Sequence, residues 1–355
     1  MNRLFRRLPM ACLLSFLLLS SGAVGAVPVL VTYPAPAGEL PSADYAVEAN
    51  GKPVFVYRAD VLHGGPASFA SFDFSGTVQV AVTSQRPVHS AKIRPNSAGI
   101  SPTVQNKTIR FELSRPGQLT VELNDGIERP LHLFADPVEA DTPRPDDPHV
   151  LYFGPGVHEV GTTKVRSNTT VYLAGGAIVR GIIRPDEKPV GESFAKKKTY
   201  MPIFLIEGAL GVTYETRCNV TNVLFADCDV IHDLGIASLA AHVSDSGTVS
   251  SLRFENIRLE DVKNRAVRLW IGKGMWGHDS QRGHIRGVVF KDVSLVGGSA
   301  PQWELTGHDA DHRVADVVFE NLRLFDKVIR ATGEARFAVN AYVENLRFRP
   351  ENRDR

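Results

Sequence analysis

Val220-Thr-Asn-Val-Leu-Phe225-Ala-Asp227 is the stretch that decides the fold, because its pattern returns along the chain. It recurs as Val249-Ser-Ser-Leu-Arg-Phe254-Glu-Asn256, as Ile285-Arg-Gly-Val-Val-Phe290-Lys-Asp292 and as Val314-Ala-Asp-Val-Val-Phe319-Glu-Asn321. A weaker copy, Val343-Glu-Asn-Leu-Arg-Phe348, closes the series. The phenylalanines at 225, 254, 290, 319 and 348 are therefore 29, 36, 29 and 29 residues apart.

A repeat near thirty residues with β-branched strands signals a solenoid. Three strands of about 5 residues and three turns of about 2–6 make a coil of about 20–33 residues. One repeat thus fits one turn of a right-handed parallel β-helix. A single coil cannot bury its own apolar residues, so Phe225, Phe254, Phe290 and Phe319 are expected to stack as an internal ladder. Asp227, Asn256, Asp292 and Asn321 then fall at the bend after each strand, where their side chains can bond backbone groups left unpaired. Leucine-rich repeats are excluded because Leu-x-x-Leu-x-Leu is missing, and no long 3.6-residue periodicity supports helical repeats.

Upstream the texture changes. Val54–Tyr57, Thr77–Thr83, Val88–Ile93, Thr108–Leu113 and Gln118–Leu123 read as short strands separated by Pro, Gly, Asn and Asp. In Val78-Gln-Val-Ala-Val82 the valines alternate, the mark of a strand with one buried face. A small β-sandwich is expected over 27–139, a Pro-rich linker over 140–148 and the β-helix over 149–350, making an all-β chain. Residues 1–26 read as a signal peptide: Arg3, Arg6 and Arg7, an apolar run over Met10–Leu19, then Val24-Gly25-Ala26. A periplasmic or extracellular location is the expectation, with no membrane anchorage once the signal is removed.

The whole chain has 40 Lys and Arg against 39 Asp and Glu; without the three signal arginines it has 37 against 39, a net charge of −2. Such a balance offers nucleic acid or an anionic membrane no electrostatic handle. Cys218 and Cys228 bracket the strand Val220–Phe225, whose ends at about 3.3 Å per residue stand about 20 Å apart, beyond disulfide reach. No cysteine pattern suits a metal.

Tyr152-Phe-Gly-Pro-Gly-Val-His158, followed by Val165-Arg-Ser-Asn-Thr-Thr-Val-Tyr-Leu-Ala-Gly-Gly-Ala177, resembles the opening coils of glycoside hydrolase family 28 and its polygalacturonase-like relatives. That resemblance implies the pectin-lyase-like β-helix fold and a polysaccharide or oligosaccharide substrate, with no cofactor or metal. The family's Asn-Thr-Asp, Asp-Asp and Gly-His-Gly motifs do not occur in the β-helix region, and Arg184–Arg217 stands where further coils are usual. The chain resembles a shortened member. Ala266-Val-Arg-Leu-Trp-Ile271 resembles the family's Arg-Ile-Lys strand, so Arg268 carries over while Trp270 replaces the lysine.

The substrate-facing strands are expected at Ile236–Ala240, Val267–Ile271 and Gln302–Leu305. Inverting hydrolysis needs two carboxyl groups about 6.5–9.5 Å apart, and stacked strands about 4.8 Å apart can supply them from neighbouring coils. Asp233, Asp261 and Glu304 lie closest to those strands and are the candidate catalytic residues; Asp233 capping a turn and Asp261 as a solvated turn charge are the competing readings. His232, Arg268, Trp270, Lys273 and Trp276 are the candidate substrate contacts. Lys273 and Trp276 belong to the Gly-rich bulge Lys273–Gly283 of the longer coil. Trp270, Trp276 and Trp303, the chain's tryptophans, offer rings on which flat sugar faces can pack, or else fill the coil. His308-Asp-Ala-Asp-His312 reads as a turn rather than a metal cluster. The expectation is a monomeric glycosidase, with a non-catalytic carbohydrate-binding relative or a polysaccharide lyase as alternatives.

Overall fold

The computed structural model describes residues 28–61, 65–166, 168–185, 209–213, 216–275 and 277–350. The signal-peptide reading, most of Arg184–Arg217 and Trp276 lie outside the described residues.

Two β-sheets build the N-terminal sandwich. One runs in the order Val29–Thr32, Gly65–Ser75, Leu131–Pro137, Gly117–Leu123, Ala91–Arg94, with Val56–Val61 also paired to Gly65–Ser75. The other runs Lys52–Val54, Tyr45–Ala49, Val78–Ser84, Thr108–Leu113, Thr103–Gln105. Val78, Val80 and Val82 are buried while Gln79 is exposed, as the alternation requires. Phe72, Phe74, Ile109, Leu131 and Leu133 fill the space between the sheets. The expected strand Val54–Tyr57 is in fact two: the chain leaves one sheet at Val54 and joins the other at Val56.

The C-terminal region is the parallel β-helix. The strand Val249–Glu260 bends at Asn256, whose φ of 51° is left-handed, and so covers two faces of its coil. Arg265–Ile271 forms the third face. Val220–Ala226, Val249–Glu260, Ile285–Gly297 and Val314–Glu320 stack in parallel along the first face. Leu210–Val212, Leu239–Val243, Arg265–Ile271, Gln302–Thr306 and Phe337–Val339 stack in parallel along the third. Cys218 and Cys228 are both free.

The phenylalanine ladder forms as expected. Phe225, Phe254, Phe290, Phe319 and Phe348 are direct strand partners from coil to coil. Their rings stack with centroids 5.4, 5.0, 4.7 and 5.3 Å apart. Asp227, Asn256, Asp292 and Asn321 all adopt positive φ, which Asn and Asp tolerate better than other side chains. The bends are also tied to each other: Asn256 Nδ2 donates to Asp227 Oδ1 at 2.6 Å and Asn321 Nδ2 to Asp292 Oδ1 at 2.7 Å.

Two expectations need correction. The third-face strand placed at Ile236–Ala240 runs over Leu239–Val243 instead. The Asp233 carboxylate accepts hydrogen bonds from Gly235 N and Ser238 Oγ, both 2.7 Å, which prolongs the turn to Ser238 and leaves Ile236 exposed. Trp303 does not border a groove. It is fully buried inside the helix, stacked on Phe337 at 5.7 Å and edge-on to Phe319 at 6.0 Å.

The sandwich packs against the β-helix. A Cβ on Gly175 would fall 2.0 Å from the Tyr33 ring, so the Gly-Gly of the first coils is where that ring seats. No side chain larger than hydrogen fits there.

Candidate active site on the third face

Alternation along the third-face strands sorts their side chains. Leu239, Ala241 and Val243 enter the core, as do Val267, Leu269, Ile271, Trp303 and Leu305. Ala240, His242, Arg268, Trp270, Gln302, Glu304 and Thr306 take the opposite side of the sheet. Strand register then sets Arg268 beside Glu304, and Trp270 between His242 and Thr306.

The outward groups make one cluster. The Arg268 guanidinium lies 4.8 Å from the centroid of the Trp270 ring, a cation–π arrangement. Arg268 Nε is 3.4 Å from Glu304 Oε2, and Arg265 pairs with the same oxygen. Thr306 Oγ1 donates to Glu304 Oε1 at 3.4 Å. His242 meets Trp270 edge to face, with centroids 6.2 Å apart. Only 2% of His242 is exposed; burial, then the positive charges of Arg268 and Arg265, push its pKa down to about 3. The ring is therefore neutral over the physiological range.

At the end of this face, the buried Asp245 receives the backbone N–H groups of His278 and Asp279 at 2.6 and 2.7 Å. Asp279 in turn accepts from Ser246 N and Oγ, and these bonds hold its carboxyl below the usual range. The bulge after Ile271 is thus fastened to the coil beneath it. Lys273 starts that bulge and is exposed.

His232 and Asp261 belong to a different group. They occupy turns that precede third-face strands, and both have left-handed φ, 55° and 57°. His232 Nδ1 lies 2.7 Å from Asp261 Oδ2, and its Nε2 lies 2.5 Å from Oε1 of Glu122, a sandwich residue. Hydrogen bonds from Lys263 Nζ and then from His232 hold the Asp261 carboxyl below its ordinary range. Arg94, also from the sandwich, bridges Glu122 and Glu260.

Of the residues expected from sequence, Arg268, Trp270 and Glu304 come together. Asp233 closes a turn, and Asp261 is bound to His232 and Lys263. His242 had a readable signal, since alternation through Leu239-Ala-Ala-His-Val243 turns it outward. Glu122, Arg94 and Glu260 had none, because their meeting depends on how two domains dock. Among the described residues Glu304 is the one carboxylate at an outward third-face position. In His308–His312, the Asp309 carboxylate closes the turn on His312 N and Nδ1, each at 2.8 Å. Among the described residues no group of His, Cys, Asp or Glu stands where it could hold a metal ion.

No protein-family model matches the chain, and no curated protein matches it. Among solved structures the chain is similar to Dex49A from Penicillium minioluteum, with a TM-score of 0.46 and 12% sequence identity over 90% of this chain and 96% of that one.

Proposed function

We propose that this protein is exported to the periplasm or beyond and acts on a polysaccharide as a glycoside hydrolase, binding the glycan along the third face of its β-helix. The observation that carries this reading is the Arg268–Trp270 pair, 4.8 Å from charge to ring, set beside Glu304 on the next coil. An aromatic face packs the flat C–H side of a sugar. A guanidinium donates to hydroxyl or carboxylate oxygens, and a carboxylate accepts from hydroxyls.

In this reading Glu304, paired with two arginines, is the ionised carboxylate of the reaction. Asp233, in the turn that feeds Leu239–Val243, is the candidate for the protonated second carboxyl group that hydrolysis requires; Asp261, the other candidate, is held ionised by Lys263 and His232 and can serve only as an ionised partner. Lys273 and Trp276 are proposed as further substrate contacts, whereas both ring nitrogens of His232, the other expected contact, are taken by Asp261 and Glu122. The polygalacturonase-like resemblance of residues 152–177 makes pectic glycans the first substrates to try.

A second reading, a carbohydrate-binding protein that does not cut, is favoured by one observation. Glu304 stands alone as an outward carboxylate among the described residues, whereas hydrolysis uses a pair.

One experiment separates them. The mature protein is incubated with pectic, dextran-type and other plant or algal glycans while reducing ends, ultraviolet absorbance of unsaturated products and binding are followed. New reducing ends without absorbance establish hydrolysis. Both signals together mean a lyase, and binding without cleavage establishes the second reading. Failure to bind any glycan, or binding untouched by Trp270→Ala and Arg268→Ala, overturns the third-face assignment.

A further inference from the structure

A line of alternating charges joins the two domains. Arg94 Nε donates to Glu122 Oε2 at 3.0 Å, and Arg94 Nη1 donates to Glu260 Oε1. The other Glu260 oxygen accepts the backbone N–H of Asn96 at 2.8 Å. The other Glu122 oxygen faces His232, which faces Asp261 in turn. Glu122 and Glu260 are almost wholly buried, with 4% and 2% of their side chains exposed.

Proton counting makes His232 the interesting member. A neutral imidazole has one N–H and one lone pair, so it can donate to one carboxylate only. Both ring nitrogens here stand within 2.7 Å of a carboxylate oxygen. Two donations need a second proton on the ring or a proton on a carboxyl group. Glu122 already accepts from Arg94 and Asp261 from Lys263, which holds the Asp261 carboxyl below its ordinary range, and this leaves the ring as the proton's place. We infer that His232 is a proton-operated latch between the sandwich and the β-helix.

The surroundings fit that role. A cavity of about 440 Å³ opens beside the ring, between Asp125–Glu128 of the sandwich and the turns at Leu234 and Lys263, so a proton can leave to solvent. The remaining charges facing it are Lys92, Asp125 and Glu128 from the sandwich; Lys92 and Asp125 pair with each other at 2.7 Å, both more than half exposed. On its own turn, Asp233 is occupied by Gly235 and Ser238. Glu122 and Asp261 are thus the groups that the ring holds together. When the proton leaves, a lone pair faces one of the two carboxylates and the sandwich loses this tie to the turns at 232 and 261, keeping the one through Arg94 and Glu260. The latch is closed at acidic pH and released as pH rises through the imidazole's titration. Both turns lead into third-face strands, so the switch sits at the edge of that face.

Imidazole 15N NMR on the full chain between about pH 5 and about pH 8 tests this directly, the range over which histidines change charge. Both His232 nitrogens should report N–H at the acidic end, and one should lose it as the pH rises. Amide exchange at His232, corrected for the intrinsic pH effect, should then accelerate about tenfold. Exchange at Phe254 and Val80, deep in the two cores, should not. In His232→Gln the local acceleration should vanish. A ring that stays neutral across the range, or a pH response that survives in His232→Gln, overturns the proposal. If His232→Gln does not fold, the wild-type titration alone decides.

Discussion

Phe254 and Phe290 face each other across neighbouring coils with ring centroids 5.0 Å apart and planes within 3° of parallel. They are aligned although 36 residues separate them, seven more than in the coils on either side. The extra residues are accommodated in the bulge after Ile271, so the ladder keeps its register. Each ring in the middle of the stack has an aromatic neighbour above and below, and no water reaches it.

Truncating one rung should therefore be expensive. Phe290→Ala removes a fully buried ring and leaves a cavity, a change that costs about 3–5 kcal/mol. Urea denaturation followed by tryptophan fluorescence should show that loss, because Trp303 reports from the same core.

The asparagine bends carry a second, smaller contribution. Asn256 combines a φ of 51° with a hydrogen bond to Asp227, so Asn256→Ala loses both an accommodating side chain and a partner. A destabilisation of about 1–3 kcal/mol is expected. Asn256→Gly should recover part of it, since glycine accepts the backbone but not the bond; comparing the two by denaturant midpoint separates the terms.

Breaking the domain junction should cost as much as losing a rung of the ladder. Glu260→Ala leaves the Arg94 guanidinium, 13% exposed, with Glu122 alone and orphans the Asn96 N–H. Removing one partner of a buried ion pair costs about 3–5 kcal/mol. Calorimetry of the full chain should show a lower or split transition, while Glu255→Ala, on the same strand but paired at the surface with Arg253, should shift it little.

Global stability should fall on acidification because of His242. Its folded pKa is pushed down to about 3, below the unfolded value, so folding favours the neutral ring. That contribution is fully present above the unfolded pKa, about 6.5, and is lost as pH drops toward the folded one. His242→Leu should flatten the stability profile between about pH 6.5 and about pH 3. The sign is opposite to that of the His232 latch, which releases as pH rises. Local exchange therefore reads the latch, and whole-molecule unfolding reads His242.

Much of the β-helix is legible in the sequence. A repeating Phe and a repeating Asx, at matched spacing, encode one core position and one bend per coil, and both are local properties of the chain. The strand preceding each bend followed from the same pattern. The register of Leu239–Val243 did not, because the length of the preceding turn was set by a side-chain bond from Ser238 to Asp233. Trp303 illustrates the same limit. Its type suits a sugar platform or a core equally, and only the pleat of Gln302–Thr306 sends it inward.

The sequence by itself determined the coil, its period and the bend that follows each first-face strand, since strand periodicity is carried by neighbours in the chain. Tertiary structure alone decided which third-face residues turn outward and which of them meet. Arg268 and Glu304 are joined by parallel register across 36 residues, and His232 and Glu122 by the docking of two domains across 110. No local propensity encodes such pairings. They follow from which buried surfaces fit together, and each charge is then placed where another can answer it.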